Sequence, residues 1–368
     1  MSDILHILIS FILALGISLY AVPSVIRIVT ALKLFDKPNE RSSAISPVPT
    51  LGGIAIFISF IFSSTVLLKG HDTPELVYIH TALMIMFFIG FKDDILELPP
   101  WKKLVAELIS AALIIFMADI RFTNLHGFLG IKQINFLSSV LLTAFVIIVF
   151  INSINLMDGI DGLASGLTIL FSVIFGGWFF LSGHLEYAIL SFTLTGATVG
   201  FFRYNVYGTK NKIFMGDTGS LVIGTIIAVI AIKFNEFNID QNQSYAIASA
   251  PAVSFGILIY PLADTIRVFI IRISQKRSPF SPDKNHLHHR LLLLGFTHKK
   301  ATYTIIVVNG AFIIPVLFLH HIGIGWLMVF ILFSAGVLFM IPGLSIQKRK
   351  LIDANDPNQH LLLPGNDK

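Results

Sequence analysis

Apolar residues run along this chain in long blocks, and polar residues gather between the blocks. Near-continuous apolar stretches occur near residues 4–28, 51–69, 75–91, 102–119, 135–152, 163–182, 185–202, 218–233, 247–271, 301–319 and 322–343. Each approaches the roughly 20 residues a helix needs to cross a bilayer core, and a helix satisfies its own backbone where lipid cannot. The pattern predicts an all-α polytopic membrane protein, a bundle of about eleven transmembrane helices. The first run is too long, and lacks the flanks and small-residue cleavage site, to read as a removable signal peptide.

Composition agrees with the pattern. Hydrophobic residues make up 55% of the 368 positions and charged residues 13%, against about 25% charged in a soluble domain; the mean hydropathy is +0.80. With no cysteine, neither disulfides nor thiolate metal sites are available. No internal repeat or low-complexity tract is visible.

Basic residues set the expected orientation, because Lys and Arg are retained on the cytoplasmic side. If the loop carrying Arg27, Lys33, Lys37 and Arg41 lies inside, Lys69, Arg121, Lys132 and Lys233 fall outside, leaving 22 of the 26 basic residues inside or at cytoplasmic helix ends. The chain then has an external N-terminus and a cytoplasmic C-terminal tail in the inner membrane. The net charge of +5 becomes a topology signal and gives no reason to expect nucleic-acid binding.

Polar residues then sort by side. Five clusters fall on the inner face, over residues 36–53, 91–103, 152–166, 203–220 and 272–290, whereas external loops such as RFTNLHGFLGIKQ hold only scattered polar residues. The inner clusters bring Asp93, Asp94, Asp158, Asp161 and Asp217 to one membrane face. Unpaired, these carboxylates would repel one another and cost desolvation energy. Mg²⁺ or Mn²⁺ and the cationic side chains that would bind a substrate relieve both; Mg²⁺ typically takes one or two carboxylates plus substrate phosphates. Lys102, Lys103, Lys212, Arg290 and the histidines of HLHHR would neutralise phosphate oxygens. In NSINLMDGIDGLASG, Asn155, Asp158 and Asp161 share one face if the segment continues as helix. The glycines there let a backbone or ligand approach closely. Each cluster alone has a plainer reading: Asp93–Asp94 as a solvated pair, Asp217 as a helix cap, HLHHR as a patch facing anionic headgroups. All five in order on one face favour a site.

The pair DD followed by Lys103, then NLMDGIDGLASG, FMGDTGS and HLHHR, together resemble the polyprenyl-phosphate N-acetylhexosamine-1-phosphate transferases, the WecA-like and MraY-like membrane enzymes. The resemblance covers nearly the whole chain. It implies a bundle of ten or eleven helices, often dimeric, with a cytoplasmic active-site cleft. There a sugar-1-phosphate passes from a UDP-N-acetylhexosamine to a polyprenyl phosphate lipid, with release of UMP. On matching positions, Asp217 becomes the principal Mg²⁺ ligand with Asn155 a second, and Phe214 stacks the uracil. Asp161 hydrogen-bonds the base, with Asp158 beside it in the substrate site, and Lys103 contacts the nucleotide or phosphates. His286, His288, His289 and Arg290 hold the diphosphate and sugar, and Asp93 and Asp94 form the catalytic pair. Adjacent helical residues diverge by about 100°, so the pair should divide its work, Asp93 facing the lipid phosphate and Asp94 the network around Lys103. The expected transmembrane catalytic domain is 1–345, with cytoplasmic loops 29–50, 92–103, 152–163, 203–217 and 272–300 and a tail at 346–368.

Ala44 and Ser42 depart from the family, which commonly has His and Lys there, and YNVYGTKNK lacks its usual proline. SPFSPDKNHLHHRLLLLGF resembles the WecA-like branch, which implies UDP-GlcNAc or a related N-acetylhexosamine; the peptidoglycan-precursor branch, which transfers phospho-MurNAc-pentapeptide, has three contiguous histidines. A secondary transporter of anionic solutes would place its ionisable residues near the midplane and show repeat symmetry.

Overall fold

The computed structural model describes residues 3–36, 48–68, 73–209, 211–277 and 285–354. Ser42 and Ala44 lie outside the described residues. The chain folds as an α-helical, multi-pass membrane bundle. In order it forms α1 (Asp3–Ala31), α2 (Gly53–Leu67), α3 (Glu75–Leu96), α4 (Pro100–Ala112) running into a π-helical turn at Leu113–Met117, and α5 (Phe136–Met157). There follow α6 (Leu163–Leu181), α7 (Leu185–Tyr207), α8 (Asp217–Phe237), α9 (Ala250–Ile257), α10 (Ile259–Ser274), α11 (Leu287–Leu293), α12 (His298–Phe318) and α13 (Ile324–Ala354). Among the described residues eight helices are long and apolar enough to span, and α9 with α10, bent by 78° to one another, make a ninth when the pair is counted as one span.

All eleven apolar runs of the sequence are therefore helical, but two fall short of spanning length on their own. Helix α2 has 15 residues and α4 has 13 before its π-helical turn. The run at 247–271 is two helices because Leu258, at φ −94° and ψ 19°, breaks the ladder between them. At the other end α13 continues to Ala354, past the boundary expected at 345.

Helix ends follow local chemistry. Asn135 accepts from the Ser138 amide at 2.9 Å and starts α5, Pro100 opens α4 where its missing N–H costs nothing, and Glu97 in the left-handed region stops α3. The segment RFTNLHGFLGIKQ, read from the sequence as a loop with scattered polar residues, contains a short antiparallel hairpin, Asn124–Phe128 (β3) with Ile131–Gln133 (β4). Gly127 and Gly130, both at positive φ, let it turn. A second small pairing joins Phe35–Asp36 (β1) to Val48–Pro49 (β2).

Helix α8 is the centre of the bundle. In its most apolar window 83% of residues are buried inside the protein, against 17% for α1 and for α13. Its N-terminus is gripped from two sides. Gly52 and Gly53 donate to the carbonyls of Phe214 and Met215 at 2.9 Å, and Gly90 of α3 lies where an added Cβ would stand 2.5 Å from the Asp217 carbonyl oxygen. The start of α8 is thereby fixed against α2 and α3.

Candidate active site at the head of the central helix

Asp94 makes three hydrogen bonds to the first turn of α8: it accepts from the Asp217 amide at 2.8 Å and from the Thr218 amide and hydroxyl at 2.9 and 2.5 Å. It thus supplies from α3 the cap that α8 lacks, since the residue before the helix is Gly216, at φ 72°. A side chain at Gly216 would run into the Asp94 carboxylate, its Cβ 2.4 Å from Oδ2. Sequence reasoning aimed Asp94 at the Lys103 network and offered Asp217 itself as a possible cap; the structure reverses both. A helix N-terminus with four unpaired amides attracts a buried carboxylate more strongly than a mobile lysine does.

Lys103 instead joins Asp93 and Asp217. Its Nζ donates to Asp217 Oδ2 at 2.9 Å and to Asp93 Oδ2 at 3.1 Å. Asp93 Oδ1 takes the Leu98 amide at 2.6 Å, which fixes its rotamer. On α5, Asn155 donates its Nδ2 to Ser220 at 3.0 Å, and it also hydrogen-bonds Asp217. One turn deeper, Asn152 donates to the buried Glu107 of α4 at 2.8 Å. Glu107 stands one helical turn beyond Lys103, and neither it nor Asn152 was singled out from the sequence.

The turn after α5 corrects a second expectation. The helix stops at Met157 and α6 begins at Leu163 behind Gly162, at φ 78°, so Asn155, Asp158 and Asp161 do not share a helical face. Asp158 stays beside the first group. Burial, with the charges of Asp217, Asp94 and Asp161, pushes its carboxyl up to about 7. Asp161 turns into a separate cluster, its Oδ2 bound by Lys212 Nζ at 2.7 Å and His298 Nδ1 at 3.0 Å. Burial alone would raise Asp161, but the hydrogen bonds from His298 and Lys212 and the lysine charge hold it below the usual carboxylate range. Its Oδ1 is buried without a partner. The Lys212 ammonium stands 5.5 Å from the Phe214 ring centre, so Phe214, Lys212 and Asp161 form one group. Buried Asn205 ties that group together, accepting from the Gly162 amide at 2.5 Å and donating to the Ile213 carbonyl at 2.8 Å. His298 and Asn205 carried no sequence signal beyond being polar near a helix end.

The histidine segment is held by two residues the sequence reading passed over. Asp264, inside α10, takes His286 Nδ1 at 2.9 Å and the Leu287 amide at 3.0 Å, and Arg267 donates to Asp264 at 2.7 Å. Charged residues three apart in an apolar helix were the available signal. His288 is buried against the 158–162 turn, where a Cβ on Gly159 would come 2.3 Å from its Nε2. Burial, then His289, push its imidazole down to about 3, so it is neutral and does not add the positive charge expected of it. His289 stacks at an angle on His288, ring centres 4.3 Å apart. Arg290 turns toward α13, its Nη1 3.0 Å from where a Cβ on Gly343 would sit. Lys102 lies over Trp101 at 5.5 Å. The structure thus gathers Asp93, Lys103, Asn155, Asp158 and Asp217 into one group and Asp161 and Phe214 into a second beside it, with His286 and His288 on the neighbouring turn; Asp94 is absorbed into the scaffold.

This order of elements has known relatives. The sequence model of glycosyl transferase family 4 matches residues 76–235, from α3 through α8. The decaprenyl-phosphate N-acetylglucosaminephosphotransferase of Mycolicibacterium smegmatis is 32% identical over 301 residues, covering 74% of this chain and 72% of that protein. The chain belongs to glycosyl transferase family 4. The probable undecaprenyl-phosphate N-acetylglucosaminyl 1-phosphate transferase of Bacillus subtilis is 29% identical over 338 residues, 91% of this chain and 90% of that protein. The undecaprenyl-phosphate α-N-acetylglucosaminyl 1-phosphate transferase of Salmonella typhi is 27% identical, covering 75% of this chain and 73% of that protein. Each of these names carries a polyprenyl phosphate and N-acetylglucosamine, the sugar to which the histidine segment pointed.

Proposed function

We propose that the chain transfers N-acetylglucosamine-1-phosphate from UDP-GlcNAc to a polyprenyl phosphate, releasing UMP, at the cytoplasmic face of the inner membrane with its N-terminus outside. The observation that carries this reading is the Lys103 ammonium clasped between Asp93 and Asp217 at the head of α8. It puts a cation and two carboxylates where a charged headgroup at the membrane edge can reach them. The names of the relatives favour GlcNAc over phospho-MurNAc-pentapeptide, and the clustering of acids at one end of the helices disfavours transport.

The donor set suits Mg²⁺. Asp217, Asn155 Oδ1 and Asp93 offer hard oxygens, and among the described residues no group of three His, Cys, Asp or Glu closes into an all-protein cage; Mg²⁺ takes one or two carboxylates and leaves its other positions to water and phosphate. Bound there, Mg²⁺ would neutralise charge on the diphosphate. The residues themselves place the reactants. Phe214 stacks the uracil, and the unpaired Oδ1 of Asp161 accepts from its N–H. Lys103, once substrate arrives, exchanges a carboxylate for a phosphate oxygen. His286 and His288, the latter neutral, offer N–H donors to the sugar phosphate. Asp93, with one oxygen locked by the Leu98 amide, orients the lipid phosphate and takes its remaining proton. That phosphate has a second pKa of about 6 and is mostly ionised already. Its oxygen bonds to the phosphorus bearing the sugar as the bond to the bridging oxygen breaks, and UMP leaves with that electron pair. Such transfer rests on positioning and charge neutralisation more than covalent help.

Purified protein should release UMP from UDP-GlcNAc when Mg²⁺ and a polyprenyl phosphate are both supplied, and lose that activity in Asp217→Asn. Equal release without the lipid, or wild-type release by Asp217→Asn in excess EDTA, would overturn the assignment.

A further inference from the structure

A groove of about 800 Å³ runs between α9–α10 and α13, and none of Asp93, Lys103, Asn155 or Asp217 lines it. Its walls are apolar, with Phe255, Ala263 and Ile270 on one side and Leu332, Phe339 and Met340 on the other. Arg267 and Arg290 also line it. Arg267 uses its Nη2 twice, on Asp264 Oδ1 at 2.7 Å and on the Asn285 carbonyl at 2.5 Å, while its Nε and Nη1 are buried with no acceptor. The Arg267 side chain is 18% exposed and lines the groove, so its guanidinium can be reached from there by an anionic group. Asp264 already takes Arg267 and the Leu287 amide on Oδ1 and His286 on Oδ2. Among the described residues no carboxylate forms an ion pair with Arg290. Two guanidiniums therefore stand with one carboxylate that is already shared three ways, beside an apolar channel between membrane helices.

From this geometry we infer a binding site for an anionic glycerophospholipid, its phosphate at Arg267 and Arg290 and an acyl chain laid between α10 and α13. Basic pockets between transmembrane helices hold anionic headgroups in this way, and a guanidinium matches a phosphate with paired, charge-assisted hydrogen bonds. A free phosphate would use the cations and leave the channel empty, whereas an uncharged lipid would leave the two guanidiniums that line the groove without a counter-charge. The acceptor lipid is a poor occupant, because none of Asp93, Lys103, Asn155 or Asp217 lines the groove that would hold its phosphate. The phospholipid has a structural role to play: Arg267 holds both Asp264 and the Asn285 carbonyl, and Asp264 holds the start of α11, so a headgroup on Arg267 steadies the histidine segment.

The test reads binding without catalysis. The full chain in nanodiscs of mixed phosphatidylglycerol and phosphatidylcholine is released and weighed by native mass spectrometry. Gly336 lines the groove, and a Cβ built on it meets nothing within 4 Å, so Gly336→Leu extends into the channel from an open position. The wild type should retain one phosphatidylglycerol with about a tenfold preference over phosphatidylcholine. Gly336→Leu should retain neither above background, and Arg267→Gln should lose the preference while still holding lipid. Should Arg267→Gln fail to fold, Gly336→Leu decides alone. Equal retention of the two lipids by the wild type, undiminished retention by Gly336→Leu, or one-for-one displacement of phosphatidylglycerol by polyprenyl phosphate would each overturn the site.

Discussion

Replacing Asp94 by alanine separates scaffold from chemistry at the adjacent pair. The change deletes the acceptor for two amides and one hydroxyl at the first turn of α8, in the helix that forms the bundle's centre. Losing a capping carboxylate costs about 1–2 kcal/mol, and an amide left unsatisfied near the interior adds about 1–3 kcal/mol. The total, roughly 2–4 kcal/mol once water reaches part of the turn, corresponds to a fall of roughly 4–8 °C at about 2 °C per kcal/mol. Asp93→Asn should behave oppositely. It keeps an oxygen for the Leu98 amide, so the melting temperature should stay near wild type while turnover falls. The assay is thermal unfolding of the purified protein in detergent, with UMP release measured on the same samples. Asp94→Ala with wild-type stability and abolished turnover would refute the capping role and return Asp94 to the chemistry.

Phe214→Ala should weaken UMP binding by about 1–3 kcal/mol, the worth of one aromatic–base stack, with little effect on stability; calorimetry with UMP checks it, and unchanged affinity would remove Phe214 from the base site. Gly159→Ala puts a methyl 2.3 Å from His288 Nε2, and because His288 is buried it should cost about 1–3 kcal/mol of strain and reduce turnover, as shown by melting and rate together. Asp158 ionises at about 7 in the fold against 3.8 as a free side chain. Between those values the folded state binds the extra proton, so this group makes stability fall as pH rises from about 4 to 7. In EDTA, Asp158→Asn should lack that part of the slope, and an unchanged slope would contradict the raised value.

The sequence showed the helices well because a bilayer imposes a length and an apolar composition that can be counted residue by residue. The short helix α2 and the break at Leu258 escaped, since apolar residues continue through both. The acidic residues of the site were legible as types on one face. Their partners were not, because spacing places Asn155, Asp158 and Asp161 together only while the helix lasts, and it ends at Met157. No local signal says that Asp94 reaches α8, 123 residues away, or that Asp264 secures His286. The buried pair Asp264 and Arg267 could have been noticed, since charge inside a spanning helix demands a reason. Glu107 carried the same clue.

The central claim is that a phosphate, and not the sugar alone, moves to the lipid at the head of α8. Incubating the protein with Mg²⁺, polyprenyl phosphate and UDP-GlcNAc labelled on the phosphorus that bears the sugar follows that phosphate directly. The label should appear in the lipid product, in step with unlabelled UMP. Label leaving in UDP, with the sugar alone on the lipid, would contradict the account.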